Sequence, residues 1–393
     1  MAHYVSQMAY VKRNKKDIPW HGLGNPLSPK QPMEVWKQQA GMDWHIRQTP
    51  VRFMVHENQD KTAQESNEGN ENKESKNSQE KLSQRNTPDI PGTLKDYPEQ
   101  KVLYRSDTLE PLSVVSKRYQ VVQPGEILEF YKDLTEYAGY ELETAGVLKG
   151  GRKFWALAKT GQSATIKGKD KVNGYLLLAT SCDGTLATVA TPTTVRVVCN
   201  NTLTIAMQES LRDTQDGQSG FRSTAIRVPH NTKFDGELIK KRLGVAVSHW
   251  DEFMYGMRQL AKRRMKESEA QTYFRQVLCE DSDSKTRSHH ISGDSIPHPH
   301  PHPSIYVSNK VGRAFLNEER MLNTVNSLYQ GHGRGAEMTG TQNTAWGLLC
   351  AITEYVDHER RARNTDNRLD SAWFGQGALI KQKALDKALQ LVA

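Results

Sequence analysis

The stretch TPTTVRVVCNNTL, residues 191–203, holds a cysteine and an arginine that could support chemistry. A catalytic thiol needs a base, a helix N-terminus or cations nearby to lower its pKa. No histidine lies in this stretch, and strand alternation places Cys199 on the same face as two valines, so we interpret it as a packing residue. Arg196 sits in the middle of an apolar strand, where a cation is either solvated at an edge or presented to an anion.

The polar residues that follow this strand supply short amide and hydroxyl groups. Such groups are typical of the N-cap of a helix, which would run through LTIAMQESL. A helix N-terminus beside an arginine also forms an anion site. We therefore predict a phosphate contact from Arg196, Asn200, Asn201 and Thr202, with a simple helix cap as an alternative that does not exclude it.

A second set of candidates combines cations with aromatic rings on predicted β-hairpins. Basic side chains interleaved with aromatic rings suit single-stranded nucleic acid, because they pair with phosphates and stack on bases. The alternative is a solvated sheet surface with Trp155 in the core. The predicted binding residues are Lys149, Arg152, Lys153, Trp155, Lys167, Lys169 and Lys171 of the hairpins, and Lys117, Arg118 and Tyr119 of SKRYQ.

The helical segment EYVDHERRAR offers two further possibilities. Glu354, Asp357 and His358 have the spacing at which carboxylate and imidazole groups can ligate a metal, although the same spacing gives ordinary helical ion pairs. The arginines that follow could line a site for an anionic ligand. They are Arg360, Arg361 and Arg363, and we count the first two among the predicted nucleic-acid contacts.

No established enzymatic motif occurs in the sequence. The tract HPHPHP, residues 298–303, is flanked by Ser, Asp and Pro, which favours weak adventitious metal binding. The loop GHGRG is not followed by the GK[ST] of a phosphate-binding loop, and GxSxG, HExxH and GxGxxG are missing. We expect no cofactor, and the sequence favours a binding protein over an enzyme.

The composition is compatible with a polyanionic partner. The 393 residues include 53 Lys and Arg against 45 Asp and Glu, which gives a net charge of +8. The four cysteines are far apart and form no CxxC pair, which indicates a reducing compartment. No signal sequence or long apolar segment is present, so the sequence predicts a cytoplasmic protein.

The elements that must position these groups follow an α+β order. Antiparallel hairpins with one inserted helix occupy the first half, and a mainly helical half follows. Two polar segments have too little apolar surface to fold, and we interpret them as disordered insertions. The predicted segments are 1–56, the insertion 57–92, the β-rich core 93–233, a long helical region 234–279, the His/Pro-rich insertion 280–303, and a helical region 304–393.

Three stretches together carry a resemblance to a known family. They are PWHGLG at 19–24, TTVRVVCNNTL at 193–203, and the helical stretch 345–389, which contains AWGLLCAITEYVDHERR and SAWFGQGALIKQKALDKAL. The chain resembles the phage/plasmid-like family of unknown function, found on prophages and conjugative plasmids. The resemblance implies a role in DNA processing. The plan of hairpins plus a long helix is also similar to Redβ/RecT-type single-strand annealing proteins, as a fold-level analogy.

These observations favour a single-stranded DNA-binding and annealing protein that works as a homo-oligomeric ring or filament in phage or plasmid recombination or plasmid establishment. Annealing requires backbone contacts that leave base edges free, and it needs no catalytic residue. Two alternatives stay open. One is a metal-dependent nuclease or hydrolase that uses Glu354, Asp357 and His358, and the other is a protein that binds a host partner to inhibit defence.

Overall fold

The computed structural model describes residues 7–13, 23–56, 92–197, 201–204, 206–208, 221–223, 225–247, 250–279 and 304–392. Antiparallel sheets dominate the first half of the described chain and helices the second, which confirms the predicted α+β class. The described residues do not include the second polar insertion with its histidine tract, Cys199 or Asn200. Of the first polar insertion they include only Gly92, at the start of a strand.

The strands are β1 Met8–Val11, β2 Asn25–Leu27, β3 Ile46–His56, β4 Gly92–Arg105, β5 Pro111–Ser116, β6 Glu141–Leu148, β7 Lys153–Thr165, β8 Lys171–Ser181, β9 Thr188–Arg196, β10 Asn201–Thr204, β11 Ala206–Gln208, β12 Phe221–Ser223 and β13 Ile226–Val228. The helices are α1 Met33–Gln39, α2 Pro124–Tyr137, α3 Gly236–Val247, α4 Trp250–Lys262, α5 Glu267–Leu278, α6 Ser304–Ser327, α7 Ala345–Glu354, α8 Thr365–Phe374 and α9 Gln376–Gln390. Two π-helical turns, Leu328–His332 and Tyr355–Glu359, extend α6 and α7.

The central sheet has the strand order β10-β9-β8-β7-β6-β1-β2. The pairs from β10 to β1 are antiparallel, and β1 pairs with β2 in parallel. The short strand β13 pairs with β9 beyond the end of β10. A separate sheet of β3, β4 and β5 packs at the N-terminal side. The antiparallel hairpins predicted for the first half are therefore present as β6–β7, which turns at Gly150-Gly151, and β8–β9, which turns at Asp183-Gly184.

Both faces of the central sheet are buried, which explains the continuous apolar runs in β7 and β8. Phe154 and Ala156 of β7 face the cluster that contains α1 and α2. Trp155 and Leu157 point to the opposite face, where α8 packs through Leu369. A strand covered on both sides carries apolar residues at successive positions rather than at alternate ones.

Helix α2 shows how local signals and packing agree. The side chain of Glu126 accepts a hydrogen bond from the Gln123 backbone N–H at 2.6 Å, which satisfies a donor at the start of the helix. Tyr131, fully buried against the sheet, donates its hydroxyl towards the carbonyl oxygens of Ala156 and Leu176. The inserted helix predicted within the β-rich core is therefore α2, and it is anchored on the middle of the sheet.

The helical half has its own apolar core, which reaches the far end of β7 and β8. Buried residues of α4, α5, α6, α7 and α9 form one cluster with Ile166 and Val172. The helical region predicted for 304–393 contains α6 to α9 and the two π-helical turns. Within the described ranges, no helix is long and apolar enough to cross a membrane.

One predicted element is wrong. The helix expected over LTIAMQESL, residues 203–211, does not form in the described part of that segment, because Asn201–Thr204 pairs antiparallel with Arg196–Thr193 of β9 as strand β10, and Ala206–Gln208 forms β11. β-Branched threonines favour an extended backbone, and the open edge of β9 supplies hydrogen-bond partners. Asn201 and Thr202, which were expected to cap a helix, are therefore the first two residues of strand β10.

Candidate nucleic-acid interface

Arg196, at the end of β9, is buried, with 3% of its surface exposed. Its Nε and Nη2 donate to Oδ1 and Oδ2 of Asp170 at 2.7 and 2.9 Å. Nη2 also donates to the carbonyl oxygen of Gly335 at 3.1 Å. The guanidinium faces a carboxylate and a carbonyl group rather than solvent, so this geometry does not support the phosphate contact predicted for Arg196.

Asp170 ties the turn between β7 and β8 to the helical core. Its Oδ2 also accepts a hydrogen bond from Nε1 of Trp346 at 2.9 Å. The backbone closes the turn with bonds from Asp170 N to Lys167 O and from Ile166 N to Asp170 O. Gly168 has a φ of 62°, a left-handed conformation that glycine adopts without strain. The turn is therefore held in one position by buried contacts.

The same turn displays three exposed lysines, Lys167, Lys169 and Lys171, which we call the lysine turn. Asp170 is the single acidic residue between positions 165 and 171, and Arg196 neutralises it inside the protein. In the described part of the chain, no carboxylate forms an ion pair with any of the three lysines. Burial of the Asp170–Arg196 pair thus leaves a positive surface outside.

Helix α4 places further suitable groups beside the lysine turn. Tyr255, Arg258 and Lys262 are spaced three and four residues apart and share one exposed face, which we call the α4 row. The side chain of Tyr255 is 64% exposed. Nε of Arg258 donates to the carbonyl oxygen of Thr165, the last residue of β7, at 3.1 Å. Arg258 thus lies next to the lysine turn, and Tyr255 and Lys262 lie about one helical turn to either side of Arg258.

The other predicted hairpin cations lie at the opposite end of β7, and two of the three, Lys149 and Lys153, are paired with a carboxylate. Nζ of Lys153 is 2.5 Å from Oδ1 of Asp370 in α8, and Nζ of Lys149 is 3.6 Å from Oδ2 of the same residue. Arg152 between them is exposed. The paired strand β8 covers the same span with 11 residues, because β7 is irregular between Lys159 and Ser163, so this end is about 33 Å from the lysine turn at 3.3 Å per residue. The predicted cations therefore do not form one continuous platform.

The two aromatic residues predicted to stack on bases are in the interior. Trp155 is buried, and its ring stacks on Trp373 with centroids 6.4 Å apart. Tyr119 is also buried, stacks on His230 and donates its hydroxyl to the carbonyl oxygen of Ser181 at 2.9 Å. Burial raises the pKa of Tyr119 above its ordinary value. The geometry supports a packing role for both, while Lys117 and Arg118 are exposed beside Tyr119.

Thr202 belongs to a second buried polar cluster. Its backbone N–H and its hydroxyl donate to Oδ2 of Asp357 at 2.8 and 3.0 Å. Nζ of Lys381 in α9 donates to the Thr202 hydroxyl at 2.6 Å and to Oδ1 of Asp357 at 2.8 Å. Thr202 therefore links β10 to the helices rather than contacting a ligand. The backbone of Asn201 pairs with Arg196 in the same strand pair.

The three residues of the metal hypothesis have separate partners. Both oxygens of Glu354 accept the backbone N–H of Arg334 at 3.0 Å, and burial raises the pKa of this carboxyl. Asp357 is engaged with Lys381, and the carbonyl oxygen of His358 accepts a hydrogen bond from Arg368. Across the ranges that the structure covers, no three His, Cys, Asp or Glu side chains are grouped to hold a metal ion. The carboxylates act as internal acceptors.

Two predicted contacts, Arg360 and Arg361, line a cavity of about 260 Å³ where the π-helical turn after α7 meets α8. Arg361 is exposed, and Arg360 is half-buried and donates to the hydroxyl of Ser371 at 2.7 Å. Asn367 lies between this cavity and the β6–β7 turn, since it lines the cavity and accepts a hydrogen bond from Lys149. The cavity is thus at the end of β7 opposite the lysine turn.

Sequence reasoning missed the residues that decide which cations are exposed. Asp170 lies 26 positions before Arg196, and Trp346 lies 176 positions after Asp170. The α4 row lies in the long helical region predicted for 234–279, to which the sequence analysis assigns no binding role. Its exposed tyrosine at three-residue spacing from an arginine was the one available signal.

Comparisons with known proteins assign a family but no activity. Residues 111–373 match a family described as a domain of unknown function, DUF932. No curated protein and no solved structure matched the chain. The match covers β5 through α8, and so includes the lysine turn, the Asp170–Arg196 pair and the cavity at Arg360.

Proposed function

The chain belongs to the DUF932 family, a family of unknown function, and we propose that it binds single-stranded DNA at the lysine turn and the α4 row. The observation that carries this proposal is the set of exposed, fixed cations at Lys167, Lys169 and Lys171, whose acidic neighbour is neutralised internally by Arg196. The mobile-element setting and the analogy to annealing proteins stay predictions from the resemblance.

The chemistry of the surface suits a phosphate backbone more than a particular base sequence. Lysine ammonium groups on flexible stems act as point charges that pair with phosphates without fixed geometry. Release of condensed counterions then drives binding and makes it salt-dependent. A contact of this kind leaves base edges unread and therefore available for pairing with a second strand.

Tyr255 supplies the group that favours a single strand over a duplex. Its ring is exposed on the same face of α4 as Arg258. Stacking of an unpaired base on an aromatic ring contributes about 1–3 kcal/mol and needs no particular base. In a duplex the bases are already stacked on each other. We therefore assign to Tyr255 the stacking role that the sequence analysis gave to Trp155 and Tyr119.

Fluorescence anisotropy with a labelled thymidine oligonucleotide tests the proposal. The variant K167Q/K169Q/K171Q removes the lysine turn, and K132Q/K233Q/K241Q removes the same charge from exposed positions on and near α2 and α3. We expect the first variant to bind at least about tenfold more weakly and the second to bind almost as the wild type does, because only the first loses phosphate contacts. If both variants bind the oligonucleotide equally weakly, affinity depends on net charge and not on the position of the lysines, and the assigned site is refuted.

Annealing is the finer part of the proposal and has its own test. Two complementary oligonucleotides, one carrying a fluorophore and the other a quencher, report strand pairing over time. We expect the wild type to accelerate pairing and Y255A to lose part of that acceleration. Mass photometry of the same mixtures reports whether rings or filaments form. Binding without faster pairing would leave a single-strand binding protein and exclude annealing.

A further inference from the structure

The cavity at the corner between α7 and α8 is lined by four arginines. They are Arg360, Arg361, Arg363 and Arg368, and the polar side chains of Asn367 and Ser371 complete the part of the wall that carries hydrogen-bonding groups. Among the residues that the structure describes, no acidic side chain lines the cavity. Four like charges around one volume repel each other, so a bound anion would relieve that repulsion.

The described surroundings give these arginines no opposite charge. In the part of the chain that the structure describes, none of the four forms a salt bridge with a carboxylate. The nearby acids of α8 are directed elsewhere, since Oδ2 of Asp366 accepts the backbone N–H of Lys149 and Asp370 pairs with Lys153. The exposed Glu359 precedes the arginines but is not part of the cavity wall. The cavity is therefore cationic.

Two of the arginines are held in place by hydrogen bonds that use one nitrogen each. Nη1 of Arg360 donates to the hydroxyl of Ser371, and Nη1 of Arg368 donates to the carbonyl oxygen of His358. Arg361 and Arg363 are exposed at the rim. A guanidinium carries five N–H donors, so the anchored pair keeps donors for a ligand. Anchored donors and exposed donors around one cavity are an arrangement that can surround a small anion.

We propose that this arginine pocket binds a phosphomonoester, either in a free nucleotide or at the end of a nucleic-acid strand. A phosphomonoester carries close to two negative charges at neutral pH and three terminal oxygens, which match several guanidinium forks. A phosphodiester inside a strand carries one charge. The cavity of about 260 Å³ lies just below the range of about 300–1,000 Å³ typical of drug-sized ligands, which fits a phosphate with its sugar.

This pocket is separate from the lysine turn. The two lie at opposite ends of β7, and Asn367 places the pocket beside the β6–β7 turn. Phosphomonoester binding therefore does not depend on the proposed function. The two sites can be removed one at a time, and the failure of either proposal leaves the other standing.

Isothermal titration calorimetry with AMP, adenosine and inorganic phosphate tests the pocket in the full chain. We expect AMP and phosphate to bind and adenosine to show no heat of binding. R361Q/R363Q should weaken AMP binding at least about tenfold, because it removes two cations that form charge-assisted hydrogen bonds with the phosphate. K132Q/K241Q removes equal charge elsewhere and should bind AMP as the wild type does. Equal binding of AMP and adenosine, or an equal loss in both variants, would overturn the proposal.

Paired oligonucleotides identify the source of the phosphate. One carries a 5′-phosphate and the other a 5′-hydroxyl, and both are titrated into K167Q/K169Q/K171Q so that backbone binding at the lysine turn does not mask the difference. If strand ends are the ligand, the phosphorylated oligonucleotide binds more tightly and R361Q/R363Q removes the preference. If AMP binds and the two oligonucleotides are equal, the pocket takes free nucleotides. Failure of AMP, phosphate and both oligonucleotides to bind refutes the pocket.

Discussion

Arg196 and the arginines of the pocket carry the same side chain in opposite surroundings. Arg196 is buried and paired through two nitrogens with Asp170, whereas Arg361 and Arg363 are exposed without an ion pair among the described residues. The difference lies in the partner and not in the cation. A buried guanidinium with a matched carboxylate stabilises the fold, and a cluster without carboxylates is available to an external anion.

The lysine turn shows that the two kinds of cation depend on each other. Asp170 sits among three lysines in sequence, yet its carboxylate turns inward to Arg196 and Trp346. If Asp170 pointed outward, it would pair with a neighbouring lysine and reduce the positive potential of the turn. In the proposed binding surface, the role of Arg196 is therefore to keep Asp170 inside, and not to contact phosphate.

Removal of Arg196 should have the largest effect on stability. R196A leaves the carboxylate of Asp170 buried without its cation, and breaking a buried pair in this way costs about 3–5 kcal/mol. Urea denaturation followed by tryptophan fluorescence measures the loss. D170A should be similarly destabilising, because it leaves the guanidinium group of Arg196 buried without its carboxylate. A loss below about 1 kcal/mol in both variants would mean that the pair is not buried as described.

The second buried cluster should respond in the same direction. K381M removes the ammonium group that Asp357 and Thr202 share, and we expect a loss of about 3 kcal/mol in the free energy of unfolding. D357N should be comparably harmful, because its amide oxygen can still accept from Thr202 but the ammonium group of Lys381 remains buried without a carboxylate. If K381M unfolds at the wild-type urea concentration, the cluster does not contribute to the free energy of unfolding, and the expected structural role of Lys381 is refuted.

Exposed cations should show the reverse pattern. R361Q/R363Q and K167Q/K169Q/K171Q should each change the free energy of unfolding by less than about 0.5 kcal/mol per substitution, as surface changes usually do. The same urea experiment measures this. A large destabilisation in either variant would show that those side chains stabilise the fold as Arg196 does. The difference between buried and exposed cations would then be contradicted.

A smaller, pH-dependent effect is expected at Glu354. Burial raises the pKa of this carboxyl, so the folded state favours the protonated form. The stability that this provides is complete below the unfolded pKa and is lost as the pH rises through the folded pKa. E354Q keeps a carbonyl oxygen to accept from Arg334, so its stability relative to the wild type should increase from pH 4 to pH 7. A difference that is constant with pH would contradict a raised pKa.

Local patterns predicted the elements of the fold but not the partners of the charged residues. Helix α2 and the β6–β7 and β8–β9 hairpins follow from apolar spacing and turn glycines, which are short-range signals. The partner of Lys153 is Asp370, 217 positions away, and no local pattern contains that information. The helix predicted after Asn201 failed for a related reason, since the edge of β9 accepted the segment as a strand.

The salt dependence of DNA binding tests the central claim most directly. The logarithm of the association constant of a single-stranded oligonucleotide is measured against the logarithm of salt concentration for the wild type, K167Q/K169Q/K171Q and K132Q/K233Q/K241Q. Each phosphate contact on a single strand adds about 0.7 to the magnitude of the slope, so loss of the lysine turn should reduce it by about 2 while the matched control keeps the wild-type slope. A wild-type slope in the lysine-turn variant would show that these cations do not bind phosphate and would contradict the account.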